Sequence, residues 1–102
     1  MTAQGFFLVH SRAQPGKESE YRDWYCNINI PEVTAIPGFV SGQFYRCCGA
    51  DGLETGEFHA IYETDGQDPA TLFGALMARR GHMELTDAMD PSTVKFTFLK
   101  PA

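Results

Sequence analysis

The chain has 102 residues and a formal net charge of −5, from 13 acidic and 8 basic side chains. This length predicts a single domain spanning residues 1–102, and a domain of this size buries only about two thirds of the surface of its unfolded chain. The acidic balance argues against a phosphate-binding surface, because the only adjacent basic pair is Arg79-Arg80. No apolar run approaches the roughly 20 residues of a membrane helix, and no basic leader precedes the first element. We therefore expect a cytoplasmic protein that binds neither nucleic acid nor membrane.

The cysteines Cys26, Cys47 and Cys48 have the spacing of neither a disulfide framework nor a metal site. Their number is odd, and two of them are adjacent in a predicted strand, where their side chains point to opposite faces. No CxxC or HxxxH spacing occurs, so no metal is expected. The sequence also lacks phosphate-loop, dinucleotide-binding and haem-attachment motifs, and we expect no cofactor.

The first predicted elements are an apolar strand and an aromatic helix. Residues 5–12, GFFLVHSR, predict the strand, and Pro15-Gly16 predicts the turn that follows. Apolar side chains then recur at the spacing of one helix face, at Tyr21, Trp24, Tyr25 and Ile28. Pro31 and Pro37 are expected to prevent a regular helix through residues 30–37, although Pro31 could open a short turn.

The remaining elements are predicted as strand, strand, helix and strand. Residues 39–47 predict the second strand, residues 49–57 a polar hairpin loop, and residues 58–64 the third strand. Asp68-Pro69 is typical of a helix start, and Gly81 is expected to end this second helix. Its apolar stripe is Leu72, Phe73, Leu76 and Met77. Residues 82–90 predict a connector with one helical turn at most, and residues 94–99 the last strand.

This order, βαββαβ, predicts an α+β ferredoxin-like fold. Right-handed crossovers give a four-stranded antiparallel sheet with both helices on one face. Several strands carry apolar residues on both faces, as in Phe6-Phe7-Leu8-Val9, so the second face is expected to meet another sheet. A second copy of the chain would supply it through a two-fold axis, and we therefore predict a homodimer.

The stretch from Tyr21 to Tyr45 resembles the signature of the dimeric α/β-barrel superfamily, in particular its EthD-like members. Their pattern runs from an acidic or aromatic residue through Trp-Tyr, His, Pro-Glu and Pro-Gly-Phe to a strand ending in Arg or Tyr. The matching positions here are Tyr21, Trp24, Tyr25, Pro31, Glu32, Pro37, Gly38, Phe39 and Tyr45. The resemblance implies a ferredoxin-like protomer and a dimeric α/β barrel whose two sheets face each other. It implies chemistry less strongly, because one fold hosts many activities.

Asn29 is the main departure from this pattern. It stands two residues before Pro31, where EthD-like sequences usually have histidine. An asparagine cannot exchange protons near neutral pH, but it can hold a carbonyl oxygen by a hydrogen bond. Capping of the segment that leads into Pro31 is an equally good interpretation.

His10, His59 and His82 are the first candidates for acid–base chemistry, because histidine has an ordinary pKa near neutral pH. Strand alternation places His59 on one face of the third strand and Tyr62 on the other, but does not say which face meets the helices. The cofactor-free olivetolic acid cyclases of the superfamily are similar in having one histidine in the third strand and another after the second helix. This resemblance implies His59 and His82 as catalytic residues, although the tyrosine that partners the second histidine falls on Leu76 here.

The other candidates are side chains that could orient a substrate. These expected substrate-binding residues are His10, Trp24, Tyr25, Asn29, Tyr45 and Tyr62. An enclosed space lined by aromatic side chains, leucine and methionine with a few polar groups suits a small hydrophobic, aromatic or polyketide-like molecule. Packing in the core is the commoner role for each tyrosine and for Trp24.

Three functions are compatible with these residues. The first is a cofactor-independent lyase, isomerase or cyclase that uses acid–base chemistry on a small aromatic or polyketide-like carbonyl compound. The second is a cofactor-free monooxygenase of phenolic substrates, with Trp24 and Asn29 as positioning residues. The third is a small-ligand-binding or accessory dimer without catalysis, which the replacement of histidine by Asn29 favours.

Overall fold

The computed structural model describes residues 4–102 and confirms the ferredoxin-like α+β fold. In chain order the elements are β1 (Gly5–Ala13), α1 (Glu18–Trp24), a π-helical segment (Tyr25–Asn29), α2 (Ile30–Thr34), β2 (Phe39–Cys48), β3 (Glu54–Thr64), α3 (Pro69–Arg80) and β4 (Met89–Leu99). The strands form one four-stranded antiparallel sheet in the order β2-β3-β1-β4. Among residues 4–102, no helix has the length and hydropathy that crossing a membrane requires.

No regular helix runs through residues 30–37, as expected: a π-helical turn precedes Pro31, the short helix α2 carries Pro31 in its first turn, and it ends at Thr34 before Pro37, although the chain is helical without a break from Glu18 to Thr34. A proline inside an α-helix has no N–H to donate, and its ring collides with the carbonyl group four residues earlier. Here the turn before Pro31 is widened into a π-helix, in which the Ile30 N–H binds the Tyr25 carbonyl oxygen. This wider turn makes room for the proline ring, and such turns are frequent at functional sites.

The second predicted helix is confirmed as α3, and its ends follow the predicted signals. The Asp68 carboxylate accepts a hydrogen bond from the Thr71 N–H at 3.3 Å, and Pro69 occupies the first turn, where no N–H is needed. Gly81 stands at the C-terminal cap. Leu72 and Leu76 are the buried residues of its apolar stripe.

Two strands begin earlier than the sequence predicts. β3 begins at Glu54, so the hairpin loop is shorter than residues 49–57, and β4 begins at Met89 rather than at Val94. The additional N-terminal residues of β4 also pair with β1, but the pairing register shifts between His10 and Arg12. At this shift the Arg12 N–H donates to the Thr93 hydroxyl at 2.9 Å. Residues 82–88 contain no helical turn and form an irregular connector between α3 and β4.

The core lies between the sheet and the helices, on the face that carries Phe7 and Val9 of β1 with Ala60 and Tyr62 of β3. Phe7 and Tyr62 are fully buried register partners whose rings stack at 5.8 Å. Pro37-Gly38 turns the chain into β2 with a positive φ of 105° at Gly38. A side chain at this glycine would also collide with Leu72.

The opposite side of the sheet, here called the open face, carries the other half of each strand's side chains. His10, Tyr45, His59 and Lys95 form one row across it, because they are register partners on neighbouring strands. Its apolar residues include Leu8 and Ile61, which are partly buried within the sheet itself. No helix covers this face in the part of the chain that the structure describes.

Candidate functional site

A cleft of about 660 Å³ opens between the sheet and the helices. Its floor is the core face of the sheet, one wall is the helical stretch around Asn29, the other wall is α3, and its mouth is bordered by the connector 82–88. The side chains with polar groups that line it include Trp24, Tyr25, Asn29, Tyr62, Glu84 and Asp87. Most of the remaining lining is apolar, including Phe7, Val33, Leu76, Met77, Met83 and Phe96. We call this space the helix-side cleft.

The polar part of the cleft lies where the helical wall meets the sheet. It consists of Asn29 and Tyr25 from the helical wall and Tyr62 from the sheet, and is here called the polar floor. The Asn29 side-chain Nδ2 donates to the Tyr62 hydroxyl at 3.2 Å. Tyr25 stacks on Phe44 with ring centroids 4.3 Å apart, which fixes the direction of its ring. Tyr62 is 0% exposed and Tyr25 3% exposed, so water has little access to either phenol.

Both phenols stay protonated well beyond neutral pH. Burial raises the pKa of Tyr25 far above its ordinary value, and the neighbouring Tyr62 and Tyr21 raise it further. Burial also raises the pKa of Tyr62 strongly, although its contact with Tyr25 acts in the opposite direction. The floor therefore consists of neutral groups, and its partly buried member Asn29 is the one whose amide can hold an oxygen atom of a bound molecule. It offers no group that takes up or releases a proton near pH 7.

The outer border of the cleft is tied to the helical wall at Glu84. The Trp24 indole Nε1 donates to the Glu84 carbonyl oxygen at 3.1 Å, and the Glu32 carboxylate accepts from the Glu84 N–H at 3.2 Å. Asp87 forms an exposed ion pair with Lys17 at 3.3 Å. Sequence reasoning missed two features of this border. Glu32 positions the connector through its hydrogen bond to Glu84. The charged side chains at the mouth of the cleft are Arg80, Glu84 and Asp87.

A second polar group lies on the open face, on the other side of the sheet. The rings of His10 and His59 stack with centroids 4.6 Å apart, and Cys47 Sγ lies 3.3 Å from His59 Nδ1. His10 Nε2 donates to the Glu57 carboxylate at 2.8 Å, and Arg12 binds the other oxygen of Glu57 at 3.2 Å. One ligand atom each from His10, Cys47 and His59 lies within 4.8 Å of the others, so these residues could hold a metal ion.

The groups on the open face shift one another's pKa values. Burial lowers the pKa of His59, and the neighbouring His10 lowers it further. Burial, followed by the negative charge of Glu57, raises the pKa of the Cys47 thiol. The hydrogen bond from His10 lowers the pKa of Glu57. A thiol whose pKa is raised is a poor nucleophile at neutral pH, so this cluster does not resemble an activated cysteine site.

The predicted site residues are therefore divided between the two faces of the sheet. Trp24, Tyr25, Asn29 and Tyr62 come together in the helix-side cleft, whereas His10, Tyr45 and His59 lie on the open face. His82 is an exposed residue of the connector and lines neither place. The structure does not bring His59 and His82 together, and within residues 4–102 no histidine lines the cleft.

Comparison with solved structures finds the same fold in bacterial proteins. A putative monooxygenase from Shewanella loihica PV-4 is similar with a TM-score of 0.58 and 14% identity, covering 100% of this chain and 98% of that one. The protein PA3566 from Pseudomonas aeruginosa is similar with a TM-score of 0.56 and 17% identity, covering 100% and 97% of the two chains. The ActVA-Orf6 monooxygenase of Streptomyces coelicolor, solved in complex with nanaomycin D, has a TM-score of 0.51 and 14% identity, covering 98% and 88%.

These likenesses confirm the ferredoxin-like fold that the resemblance to EthD-like proteins of the dimeric α/β-barrel superfamily implied. At this level of identity they establish the fold alone, and they leave the ligand and the reaction open. Neither a comparison with family models nor one with curated proteins finds a match for this sequence.

Proposed function

We propose that the helix-side cleft binds a flat, phenolic, polyketide-like molecule and that the protein acts as a cofactor-independent monooxygenase on it. The single observation that carries this proposal is the hydrogen-bonded pair of Asn29 and Tyr62 on the floor of an otherwise apolar cleft. Apolar walls with a few convergent polar groups are typical of sites for small aromatic ligands. The floor would hold one oxygen atom of the ligand, and the aromatic and methionine side chains would hold its rings.

The protonation states on the floor favour a reaction in which the substrate supplies its own electrons and proton. Tyr25 and Tyr62 are held in their neutral forms by burial, so they would fix the partly buried Asn29, whose side-chain amide would stabilise a phenolate or enolate oxygen of the substrate by hydrogen bonding. An ionised hydroxyanthrone or similar compound is electron-rich enough to react with dioxygen directly. Its ring methylene, CH₂, and O₂ would give a carbonyl group, C=O, and one water. One oxygen atom enters the product, the other leaves as water, and no external reductant is consumed.

The chemistry of similar proteins supports this choice over a histidine-based reaction. Two structures of the same fold are named monooxygenases, and one of them binds nanaomycin D. Their identity to this chain is low, so this support concerns the kind of ligand and reaction that the fold accommodates. The residues of the cleft carry the proposal for this chain.

Cyclisation or isomerisation of a carbonyl compound in the same cleft is the second candidate. The carboxylates of Glu84 and Asp87 line the mouth of the cleft and could take a proton from a carbon next to a carbonyl group that Asn29 holds. The superfamily resemblance implied His59 and His82 as the acid–base residues of such a reaction, but His59 lies on the open face and His82 is exposed on the connector, so neither reaches a molecule bound in this cleft. Full turnover in both His59→Ala and His82→Ala would remove them from the reaction.

The test is oxygen consumption by the purified protein with a panel of hydroxyanthrones, naphthalene diols and short polyketide mimics. We expect oxygen uptake above the rate of spontaneous oxidation, and one labelled oxygen atom in the product when the gas is ¹⁸O₂. Asn29→Leu should lower kcat/KM by about ten- to a hundredfold, the range for one hydrogen bond to a charged group. His82→Gln is the matched control, because this exposed side chain does not line the cleft.

Three other outcomes separate the remaining functions. Substrate loss without oxygen uptake would replace the oxygenase by the lyase, isomerase or cyclase. Saturable binding without turnover by any compound would identify a ligand-binding or accessory protein. Oxygen uptake that Asn29→Leu leaves unchanged would overturn the cleft as the site.

We also propose the predicted homodimer, formed through the open face. Tyr45 is 48% exposed and Leu99 45% exposed on this side of the sheet, so a partner that covers this face would remove their apolar surface from water. Analytical ultracentrifugation should give twice the chain mass, and Tyr45→Glu should shift the equilibrium towards the single chain. A single-chain mass at all concentrations would contradict the dimer.

A further inference from the structure

We propose that His10, Cys47 and His59 form a binding site for a divalent transition metal of the zinc type on the open face of the sheet. The three side chains come from the adjacent strands β1, β2 and β3, and their ligand atoms lie within 4.8 Å of one another. Each side chain is partly buried, so the site is shielded from bulk water on the sheet side. This site is separate from the helix-side cleft, because it lies on the opposite face of the sheet.

The strands fix the three ligands without help from loops. His10 and His59 are register partners, which places their rings side by side at 4.6 Å. Cys47 follows at a register shift between Arg46 and Cys48, and the Thr55 hydroxyl binds its carbonyl oxygen at 3.3 Å. Ligands on hydrogen-bonded strands hold their geometry better than ligands on loops.

The distances and the ligand types suit zinc. Zinc binds thiolate sulfur at about 2.3 Å and imidazole nitrogen at about 2.0–2.1 Å, so two such ligands of a tetrahedral ion lie roughly 3.5 Å apart. Cys47 Sγ and His59 Nδ1 are 3.3 Å apart. Two imidazoles and one thiolate also match the preference of zinc and cobalt, whereas magnesium and calcium prefer oxygen ligands. Three protein ligands leave a fourth position for water, as in catalytic zinc sites.

Glu57 completes the arrangement as the outer partner of His10. Its carboxylate accepts a hydrogen bond from His10 Nε2 at 2.8 Å, which leaves the lone pair on Nδ1 for the metal. A carboxylate in this position is the usual partner of a metal-binding histidine. The thiolate of Cys47 and the carboxylate of Glu57 together offset the two positive charges of the ion, and Arg12, whose side chain is 46% exposed where it pairs with Glu57, adds one positive charge on the solvent side.

The test is titration of the untagged, metal-free full chain with Co²⁺, whose bound form absorbs visible light and shows a sulfur-to-cobalt band when a thiolate is a ligand. We expect saturation at no more than one ion per chain, with bands typical of four-coordinate cobalt, and displacement by Zn²⁺. Cys47→Ser should remove the sulfur band. Cys48→Ser should keep it, because this neighbouring cysteine is exposed and does not belong to the cluster of ligand atoms.

Further variants and a second readout make the result decisive. Glu57→Gln should weaken Co²⁺ binding by about ten- to a hundredfold, His59→Gln should weaken it more because it removes a ligand, and His82→Gln should leave it unchanged. Zn²⁺ should raise the thermal midpoint of the wild-type chain and of Cys48→Ser, but not that of Cys47→Ser. Circular dichroism of each metal-free variant verifies that it is folded. Absence of a sulfur band at saturating Co²⁺, or a band that survives Cys47→Ser, would overturn the site.

Discussion

The two faces of the sheet differ in the kind of polar group that each one carries. Under the helices, Asn29 and Tyr62 form a neutral hydrogen-bonding pair among aromatic and aliphatic side chains. On the open face, His10, His59 and Cys47 lie next to the charged residue Glu57. The two groups are separated only by the thickness of the sheet, because successive residues of a strand point to opposite sides.

This difference indicates that the two faces suit different ligands. A neutral, water-poor floor favours a flat organic molecule, since it provides dispersion contacts and a hydrogen bond for one oxygen atom. Imidazole and thiol groups beside a carboxylate favour a metal cation. A shift of one residue in the register of β3 would exchange His59 and Tyr62 between the faces and abolish both sites.

The largest expected effect is on the free energy of unfolding, and it compares two neighbouring residues of β1 that lie on opposite faces of the sheet. Phe7 is 0% exposed beneath the helices, and Phe7→Ala should lower the free energy of unfolding by about 3–5 kcal/mol. Leu8 is only partly buried on the open face of the single chain, so in the Tyr45→Glu background, where the proposed dimer is weakened, Leu8→Ala should cost clearly less than the about 2–5 kcal/mol of a fully buried leucine. Denaturant unfolding of both variants in this background measures the difference, and equal losses would contradict the unequal burial of the two faces in the single chain.

A second comparison uses two tyrosines on opposite faces. Tyr62→Phe removes the hydroxyl that Asn29 binds at 3.2 Å and should weaken the binding of a phenolic ligand by about tenfold, equivalent to about 1.4 kcal/mol. Tyr45→Phe on the open face should leave this affinity unchanged. Calorimetric titration measures both, and a larger loss for Tyr45→Phe would move the ligand site to the open face.

A smaller effect is expected on the hydrogen exchange of the connector at the border of the cleft. Glu32→Ala removes the carboxylate that accepts the Glu84 N–H, so the connector 82–88 should open more often. Hydrogen exchange of the Glu84 amide should become roughly fivefold faster, which corresponds to about 1 kcal/mol. Glu20→Ala, an exposed change on α1, is the control. Unchanged exchange in Glu32→Ala would show that this contact does not restrain the connector.

The smallest expected effect at neutral pH is the contribution of the cleft's phenols, Tyr25 and Tyr62, to the pH dependence of stability. The folded chain keeps Tyr25 and Tyr62 protonated above the ordinary pKa of about 10, where an unfolded chain loses these protons. The unfolded state then binds fewer protons than the folded state, so stability should fall as the pH rises above about 10, and these two phenols should contribute no pH dependence at lower pH. Phenolate absorbance during an alkaline titration measures this. Ionisation of all four tyrosines near pH 10 in the folded chain would contradict it.

The fold could be predicted from the sequence because each element carries local signals. Asp68-Pro69 and Gly81 set the ends of α3, and alternation correctly separated His59 from Tyr62. The continuous helix through Pro31 could not be predicted, since the wider π-helical turn that accommodates this proline depends on packing of the whole stretch against the sheet. Alternation also could not say which face of β3 meets the helices, because both faces carry apolar residues.

The candidate sites were harder to predict than the fold. The metal spacing rules apply to ligands that are close in sequence, whereas His10 and Cys47 meet only because β1 and β2 both pair with β3. The connector contact between Glu32 and Glu84 joins segments that are far apart in the chain and leaves no local pattern. Trp24 and Asn29 were predictable as neighbours, since they lie on one helical stretch.

The central claim is that the helix-side cleft, and not the open face, binds an aromatic ligand. Trp24 is the only tryptophan of the chain and lines this cleft, so its fluorescence reports occupancy directly. Titration with hydroxyanthrones and related phenolic compounds should give a saturable change in the wild type and in His59→Gln, and a change at least about tenfold weaker in Asn29→Leu. A signal that depends on His59 but not on Asn29, or no saturable signal with any compound, would contradict the account.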